Sequence, residues 1–248
     1  MRLMLTDEIW SRLEPVLKTF KIHFSKKIRK FIEAILWKFR TGIQWRDLPE
    51  FFGKYSSVFN KFNRWSKKEI WQKIFFSLRT DIDNEWNFLD ATVVKAHQHS
   101  SGASGHQDQA IGKSVGGHTT KIHTLVDSHG NLIDFVLSGG EVHDSKIAPI
   151  LVEISDAENL VADKAYHATN IRNQAAEKDI NVVIPLKKNS VDKSNPGFDS
   201  HLYKLRHIVE NFFAKIKHYR GISTRYDKLK KNYASALYLV NAYAWAKI

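Results

Sequence analysis

The chain contains no cysteine, which removes thiol nucleophiles, cysteine-ligated zinc and disulfides from consideration and fits a reducing compartment. It also lacks a run that could span a bilayer. Its most apolar stretch, residues 234–246, falls short of the ~20 residues a span needs and is interrupted by Asn241. No signal-peptide pattern opens the chain, because the apolar start is only a few residues long and Asp7 and Glu8 follow at once. Internal repeats and low-complexity tracts are absent too. These absences lead to the expectation of a cytoplasmic globular protein with no membrane partner. Its 248 residues allow one large domain, or a catalytic domain with a small accessory one. A hydrophobic fraction of 43% with 26% charged residues suits a packed core.

Negative charge is scarce as well. The net charge of +12 and the isoelectric point near 9.7 favour a polyanionic partner, nucleic acid or an acidic membrane surface. Its distribution is uneven: residues 1–88 carry 18 Lys and Arg against 10 Asp and Glu, residues 89–197 carry 10 against 13, and residues 198–248 carry 10 against 3. Basic ends therefore flank a slightly acidic middle. That is the arrangement expected if the ends grip phosphates and the middle gathers carboxylates around cations, although a lysine-rich surface can also serve solubility alone.

The first 85 residues read as helices. Thr6 is a suitable N-cap, with Asp7 and Glu8 in the first turn ahead of Ile9, Trp10, Leu13 and Leu17, and Pro15 is expected to bend or shorten this helix. Ile28, Phe31, Ile32, Ile35, Leu36 and Phe39 mark a second helix that stops at Gly42 and whose other face, from Lys26 to Lys38, is basic. After a turn at residues 45–49, Ser56 or Ser57 would cap a helix with Val58, Phe59, Phe62 and Trp65 inward and Asn60, Lys61, Asn63 and Arg64 outward. Ser66 and Glu69 have capping-box spacing ahead of Ile70, Trp71, Ile74, Phe75 and Leu78. Two short helices at a capped break resemble a helix-turn-helix, in which Lys61 and Arg64 would be DNA contacts. Small helical bundles more often bind no DNA.

Beyond residue 85 the periodicity changes. Strands are expected at 87–94, 120–127, 132–137, 159–163 and 181–185, with a turn at 128–131 and helices at 146–154 and 169–178. Such alternation implies a mixed α/β layer structure. Residues 100–117 and 187–200 read as surface loops.

Two aspartates sit where a carboxylate is costly. Asp90 lies inside the apolar run 88–94 and Asp163 ends the run 160–163; each needs a partner, a hydrogen bond or a metal to offset desolvation. Either alone could be a turn or capping residue, but two on separate strands suggest a shared site. On a helix expected over 203–218, Tyr203, Arg206, Glu210 and Lys217 fall in one stripe about 60° wide. The apolar positions Leu205, Ile208, Val209, Phe212, Phe213 and Ile216 lie beside it. Arg206 and Glu210 could be an ordinary surface ion pair. With the two aspartates, Glu210 instead completes a set of three carboxylates able to hold two Mg²⁺ ions, leaving Tyr203, Arg206 and Lys217 to grip phosphates. A rival metal site of His97, His99, His123, His143 and Asp144 is conceivable, yet these histidines border loops.

The spacing Tyr203-x2-Arg206-x3-Glu210-x6-Lys217 resembles the Tyr–Arg–Glu–Lys signature of insertion-sequence transposases with a DDE active site. The surrounding segments are similar to the bacterial family named insertion sequence five: Arg40-Thr-Gly-Ile-Gln-Trp-Arg-Asp-Leu-Pro49, Leu89-Asp-Ala-Thr92, Gly116-Gly-His-Thr-Thr-Lys-Ile-His123, Ala162-Asp-Lys-Ala-Tyr166, Arg206-His-Ile-Val-Glu-Asn211 and Thr224-Arg-Tyr-Asp-Lys228. Glu141 and His167 depart from that pattern without touching the three carboxylates.

The resemblance implies an RNase H-like α/β catalytic core at 86–248 behind an all-helical DNA-binding domain at 1–85. Asp90, Asp163 and Glu210 become the catalytic residues and ligands of two Mg²⁺ ions, with Mn²⁺ as a substitute. The expected activity is binding of the terminal inverted repeats, cleavage at the element's ends and strand transfer into target DNA. At least a dimer on double-stranded DNA is implied. The alternatives are a catalytically silent DNA-binding derivative and a nuclease without strand transfer.

Overall fold

The computed structural model describes residues 2–20, 22, 26–102, 108–186, 195 and 198–248. Helices α1 (Asp7–Thr19), α2 (Lys26–Thr41), α3 (Tyr55–Lys67) and α4 (Ile70–Leu78) come first. Strands β1 (Trp86–Ala96), β2 (Gly112–Ser114), β3 (Gly117–Val126) and β4 (Leu132–Gly139) follow. Next come α5 (Asp144–Ile154), β5 (Asn159–Ala162), α6 (Thr169–Glu177) and β6 (Asn181–Val183). Helices α7 (Ser200–Lys204), α8 (His207–Lys217), α9 (Arg220–Ser223) and α10 (Lys230–Trp245) end the chain. Packing groups these elements into a helical unit of residues 1–80, 96–109 and 216–248 and a sheet unit of residues 81–95 and 110–215. Among the described residues no helix is long and apolar enough to cross a membrane.

In the helical unit, Thr6 caps α1 by accepting from the Ile9 amide at 3.2 Å. Pro15 does not shorten this helix, which runs for 13 residues because Leu13 and Leu17, on either side of the proline, are both fully buried. Gly42 ends α2 at φ +74, a left-handed conformation that glycine adopts without penalty. The expected basic face of α2 is only partly present. Lys38 turns inward, its ammonium 4.1 Å from the Phe39 ring and 5.1 Å from the Trp45 ring, and the Lys26 side chain lies outside the described set.

Two expected caps are overturned. Tyr55 already lies in α3, so Ser56 and Ser57 sit within its first turn and cap nothing. Ser66 is the twelfth residue of the same helix, and its hydroxyl donates to the Phe62 carbonyl at 2.9 Å. The break before α4 is made by the backbone instead, with Glu69 at φ 56 and no side-chain cap. Asn63 and Lys61 are half-buried rather than outward. Asn63 accepts from the Asn232 amide at 2.7 Å, and Lys61 lies 4.5 Å over the Phe31 ring.

The sheet unit is a mixed sheet. β3 pairs antiparallel with β1 on one side and β4 on the other, while β5 and then β6 add parallel to β1. Helices α5 and α6 supply Ala148, Leu151, Val152, Ile171 and Ala175 to a core shared with Leu89, Leu125, Leu160, Ala162 and Val182. Residues 112–114, expected as loop, form β2 against β3. The expected loop positions 103–107, 187–194, 196 and 197 lie outside the described residues.

The hairpin between β3 and β4 is held by Asp127. Its fully buried carboxylate accepts from the His129 amide at 3.0 Å, the Asn131 amide at 2.7 Å and the Asn131 side chain at 3.3 Å, and Gly130 takes φ +77. Replacing a buried acceptor by a methyl orphans these donors. Asp127→Ala is expected to cost roughly 2–3 kcal/mol in urea unfolding; a loss under about 0.5 kcal/mol would contradict this role.

Candidate functional site

The sheet register brings the first two carboxylates together. β1 and β5 run parallel from Trp86↔Asn159 to Leu89↔Ala162, so the next residues, Asp90 and Asp163, are neighbours just beyond the last pair. Leu89 and Ala162 are fully buried, which anchors that register. Asp163 begins the turn Lys164–Tyr166, but its side chain makes no capping hydrogen bond. The capping explanation open to it from sequence therefore falls away.

Glu210 arrives on α8, and the helix that carries it is not the single one expected over 203–218. Hydrogen bonds from the amides of Leu205, Arg206, Ile208 and Val209 each reach back three residues, a 3₁₀ pattern that separates α7 from α8. In a 3₁₀ turn positions i and i+3 eclipse, so Tyr203 and Arg206 fall on one side and the guanidinium charge acts on the Tyr203 hydroxyl. Arg206 donates to Asp90 Oδ2 at 2.6 Å and to Glu210 Oε1. One guanidinium thus ties together two of the expected carboxylates. Among the described residues no group of three His, Asp or Glu side chains stands close enough to share a metal ion as placed.

Burial pushes the Asp90 carboxyl up to about 6, with the Asp163 and Asp144 charges adding to the rise and the Ala91 amide and Arg206 opposing it. The donor set fits a hard divalent cation on its chemistry. It offers only carboxylate oxygens, one of them desolvated and surrounded by like charge. A transition-metal site built on histidine does not fit: the His97 and His99 rings lie tilted at 57° with centroids 4.7 Å apart in the helical unit. His123, buried in the sheet unit, shares a 2.8 Å hydrogen bond with Ser138 and is neutral because burial drives its pKa down to about 4.

Three neighbours were not expected at the carboxylate site, Asp144 having been considered only for the rival histidine site. Asp144, at the start of α5, accepts from Lys121 Nζ at 3.0 Å, and Lys121 also donates to the Val142 carbonyl at 2.8 Å. Tyr166 carries a buried hydroxyl with no hydrogen-bond partner, and burial together with the Asp144, Asp90 and Asp163 charges raises its pKa well above the ordinary value. The signal for Lys121 was a lone cation in the apolar run of β3. Asp144 was weighed only with the histidines, and apolar neighbours alone do not separate Tyr166 from core.

The remaining expected contacts are spread. Lys217, at the end of α8, is half-buried and belongs to the helical unit. Arg64 is exposed on α3, whereas Lys61 is held over Phe31 and Trp65.

Residues 5–75 match the family described as putative transposase of the IS4/5 family, and residues 86–245 match the transposase DDE domain. The chain belongs to the DDE transposase family. Its mixed sheet with flanking helices, which follows a helical N-terminal region in the sequence, resembles the RNase H-like core expected of that family. An uncharacterized protein, y4sN, from Sinorhizobium fredii is 41% identical over 75 residues, covering 30% of this chain and 60% of that protein. A putative transposase for insertion sequence element IS6501 from Brucella ovis is 32% identical over 130 residues, 52% of this chain and 99% of that one. Among solved structures, a pre-cleavage Mos1 transpososome aligns over 87% of this chain and 77% of its own at 12% identity, with a TM-score of 0.29.

Asp90 makes a prediction for this transposase-family chain. The folded protein keeps the Asp90 proton up to about pH 6, whereas the unfolded chain releases it near 3.8. Its contribution to stability is therefore complete below about pH 4 and lost as pH rises through about 6. Asp90→Asn cannot ionise. It is expected to stabilise the fold by roughly 1–3 kcal/mol at pH 7.5 and by almost nothing at pH 4. Urea unfolding at the two pH values checks this, and an equal effect at both would overturn the assignment of a strained carboxylate.

Proposed function

We propose that the chain is a DNA transposase that binds the terminal inverted repeats of an insertion sequence, cuts at its ends and joins the freed 3′-hydroxyls to target DNA. The observation that carries this reading is the meeting of Asp90 and Asp163 at the parallel edge of β1 and β5, with Glu210 tied to the same place through Arg206. Asp90, Asp163 and Glu210 would hold two Mg²⁺ ions, with Mn²⁺ as a substitute. When bound, such ions lower the pKa of an attacking hydroxyl and relieve charge on the leaving oxygen.

The chain's own groups supply position. Arg206 presents a planar fork that can take a phosphate as it takes two carboxylates, and the Tyr203 hydroxyl would add a further phosphate contact. Lys217, Lys61 and Arg64 would add phosphate contacts that set register and carry no sequence information. Residues 1–85 form the proposed DNA-binding domain and residues 86–248 the catalytic one. Pairing of two ends calls for at least a dimer on double-stranded DNA, in the bacterial cytosol.

The test uses purified protein and a labelled duplex carrying the element's end. With Mg²⁺ the expected products are a nicked end and a joined species. Asp90→Ala, Asp163→Ala and Glu210→Ala are each expected to bring cleavage to background while duplex binding persists. Binding without cleavage at any metal would leave a silent DNA-binding derivative, and cleavage without joined products would leave a nuclease.

A further inference from the structure

Two of the family-like segments are not used by the carboxylate site, and both line one cleft in the helical unit. Gly42, Ile43, Gln44, Trp45, Arg46 and Asp47 form one side, and Tyr226 and Asp227 the other, around a volume of about 510 Å³. Lys38 and His99 complete the lining. The volume falls within the usual range for a small-ligand site.

Two buried, oppositely charged groups face this cleft without pairing. Asp227 is 9% exposed, and its Oδ2 is buried with no hydrogen-bond partner. Lys38 is 4% exposed, and its ammonium rests on the Phe39 and Trp45 rings. Asp227's charge acts on Lys38, against the burial that lowers the amine's pKa. A desolvated carboxylate oxygen without a donor is costly in an ordinary core, and the buried Arg225 guanidinium, on which the Asp227 charge also acts, donates to the Asp227 and Lys228 carbonyls. Tyr226 is 45% exposed, and its ring lies 4.6 Å from His97 at 26° in a near-parallel stack.

We propose that this cleft binds a guanine base of a DNA strand, stacked on Tyr226 and read by Asp227 and Lys38. The cleft demands a flat aromatic ligand with donors for the carboxylate beside an acceptor for the amine. Guanine answers with N1–H and the N2 amino group next to O6. Adenine and cytosine each offer one amino group there. Thymine offers a single ring N–H. A base read on this edge must be unpaired, taken from a single strand or turned out of a duplex. The assignment rests on the DNA-processing reading only for the source of the base.

The test is fluorescence anisotropy with the full chain, without divalent metal, on labelled thymidine hexamers carrying guanine, hypoxanthine or adenine at one internal position. The guanine strand is expected to bind roughly tenfold or more tightly than the other two, since hypoxanthine lacks only the N2 amino group. Asp227→Asn is expected to erase this preference. Tyr226→Ala, at an exposed position that should not disturb folding, is expected to weaken binding of all three strands. Equal affinity of the wild-type chain for the three strands would overturn the proposal. Free dGMP competing as strongly as the guanine strand would move the assignment to a free nucleotide and overturn the strand as its source. Asp90→Ala should keep the guanine preference while losing cleavage, so failure here and failure of the transposase reading give different results.

Discussion

A carboxylate drawn out of water must be met by positive charge or give up its own. Asp90 is such a group: it follows the fully buried Leu89 in a strand paired on both sides, and the Asp163 and Asp144 charges bear on it. Everything around it reads as a response to that debt. The Arg206 fork answers part of it directly, and the Ala91 amide another part at 2.8 Å from Oδ1. Even so, the carboxyl stays well above its ordinary range. The fold therefore keeps a place where further positive charge is favoured, and a site for a divalent ion is of that kind.

How the elements deliver these groups follows from backbone geometry. A parallel pairing fixes which residues emerge together at its end, so the register of β1 on β5 alone makes Asp90 and Asp163 neighbours. The third carboxylate has to come from outside the sheet. The 3₁₀ turn at Leu205 and Arg206 serves this purpose, because it aligns Tyr203 with Arg206 while leaving Glu210 one α-helical turn further on. Arginine is needed at the centre. Its planar guanidinium presents separate nitrogens to Asp90 and Glu210, whereas a lysine ammonium would act as one point charge.

Much of this was legible in the sequence, for identifiable reasons. Strands with short apolar runs and a turn at Ser128 to Asn131 were placed to within a few residues, since an apolar run bounded by turn residues suits a strand buried on both faces. Asp90 and Asp163 stood out because charge is rare in such runs. What failed was local chemistry with two solutions. Ser66 and Glu69 have the spacing of a capping box, yet the hydroxyl found a carbonyl one turn back, a bond equally open to serine inside a helix. The polar stripe from Tyr203 to Lys217 fitted one continuous helix as well as two, because a switch from α to 3₁₀ hydrogen bonds leaves the residue pattern almost unchanged.

Lys38 shows a further limit and what lies behind it. On a helical wheel it belongs with the basic residues of α2, and a long side chain at the edge of an apolar face can turn either way. The deciding contacts come from Phe39 beside it and from Trp45 beyond the Gly42 turn, so the outcome depends on where that turn sends the chain. Gly42 fixes this direction through its positive φ and through its closeness to Arg220, whose Cβ would stand 2.8 Å from any added methyl. A glycine read only as a helix stop thus also determines that an amine goes into the interior beside aromatic rings. The same reasoning applies to Arg206: in both places one backbone irregularity, not the side chain's own preference, decides whether a cation faces solvent or turns inward, to aromatic rings at Lys38 and to carboxylates at Arg206.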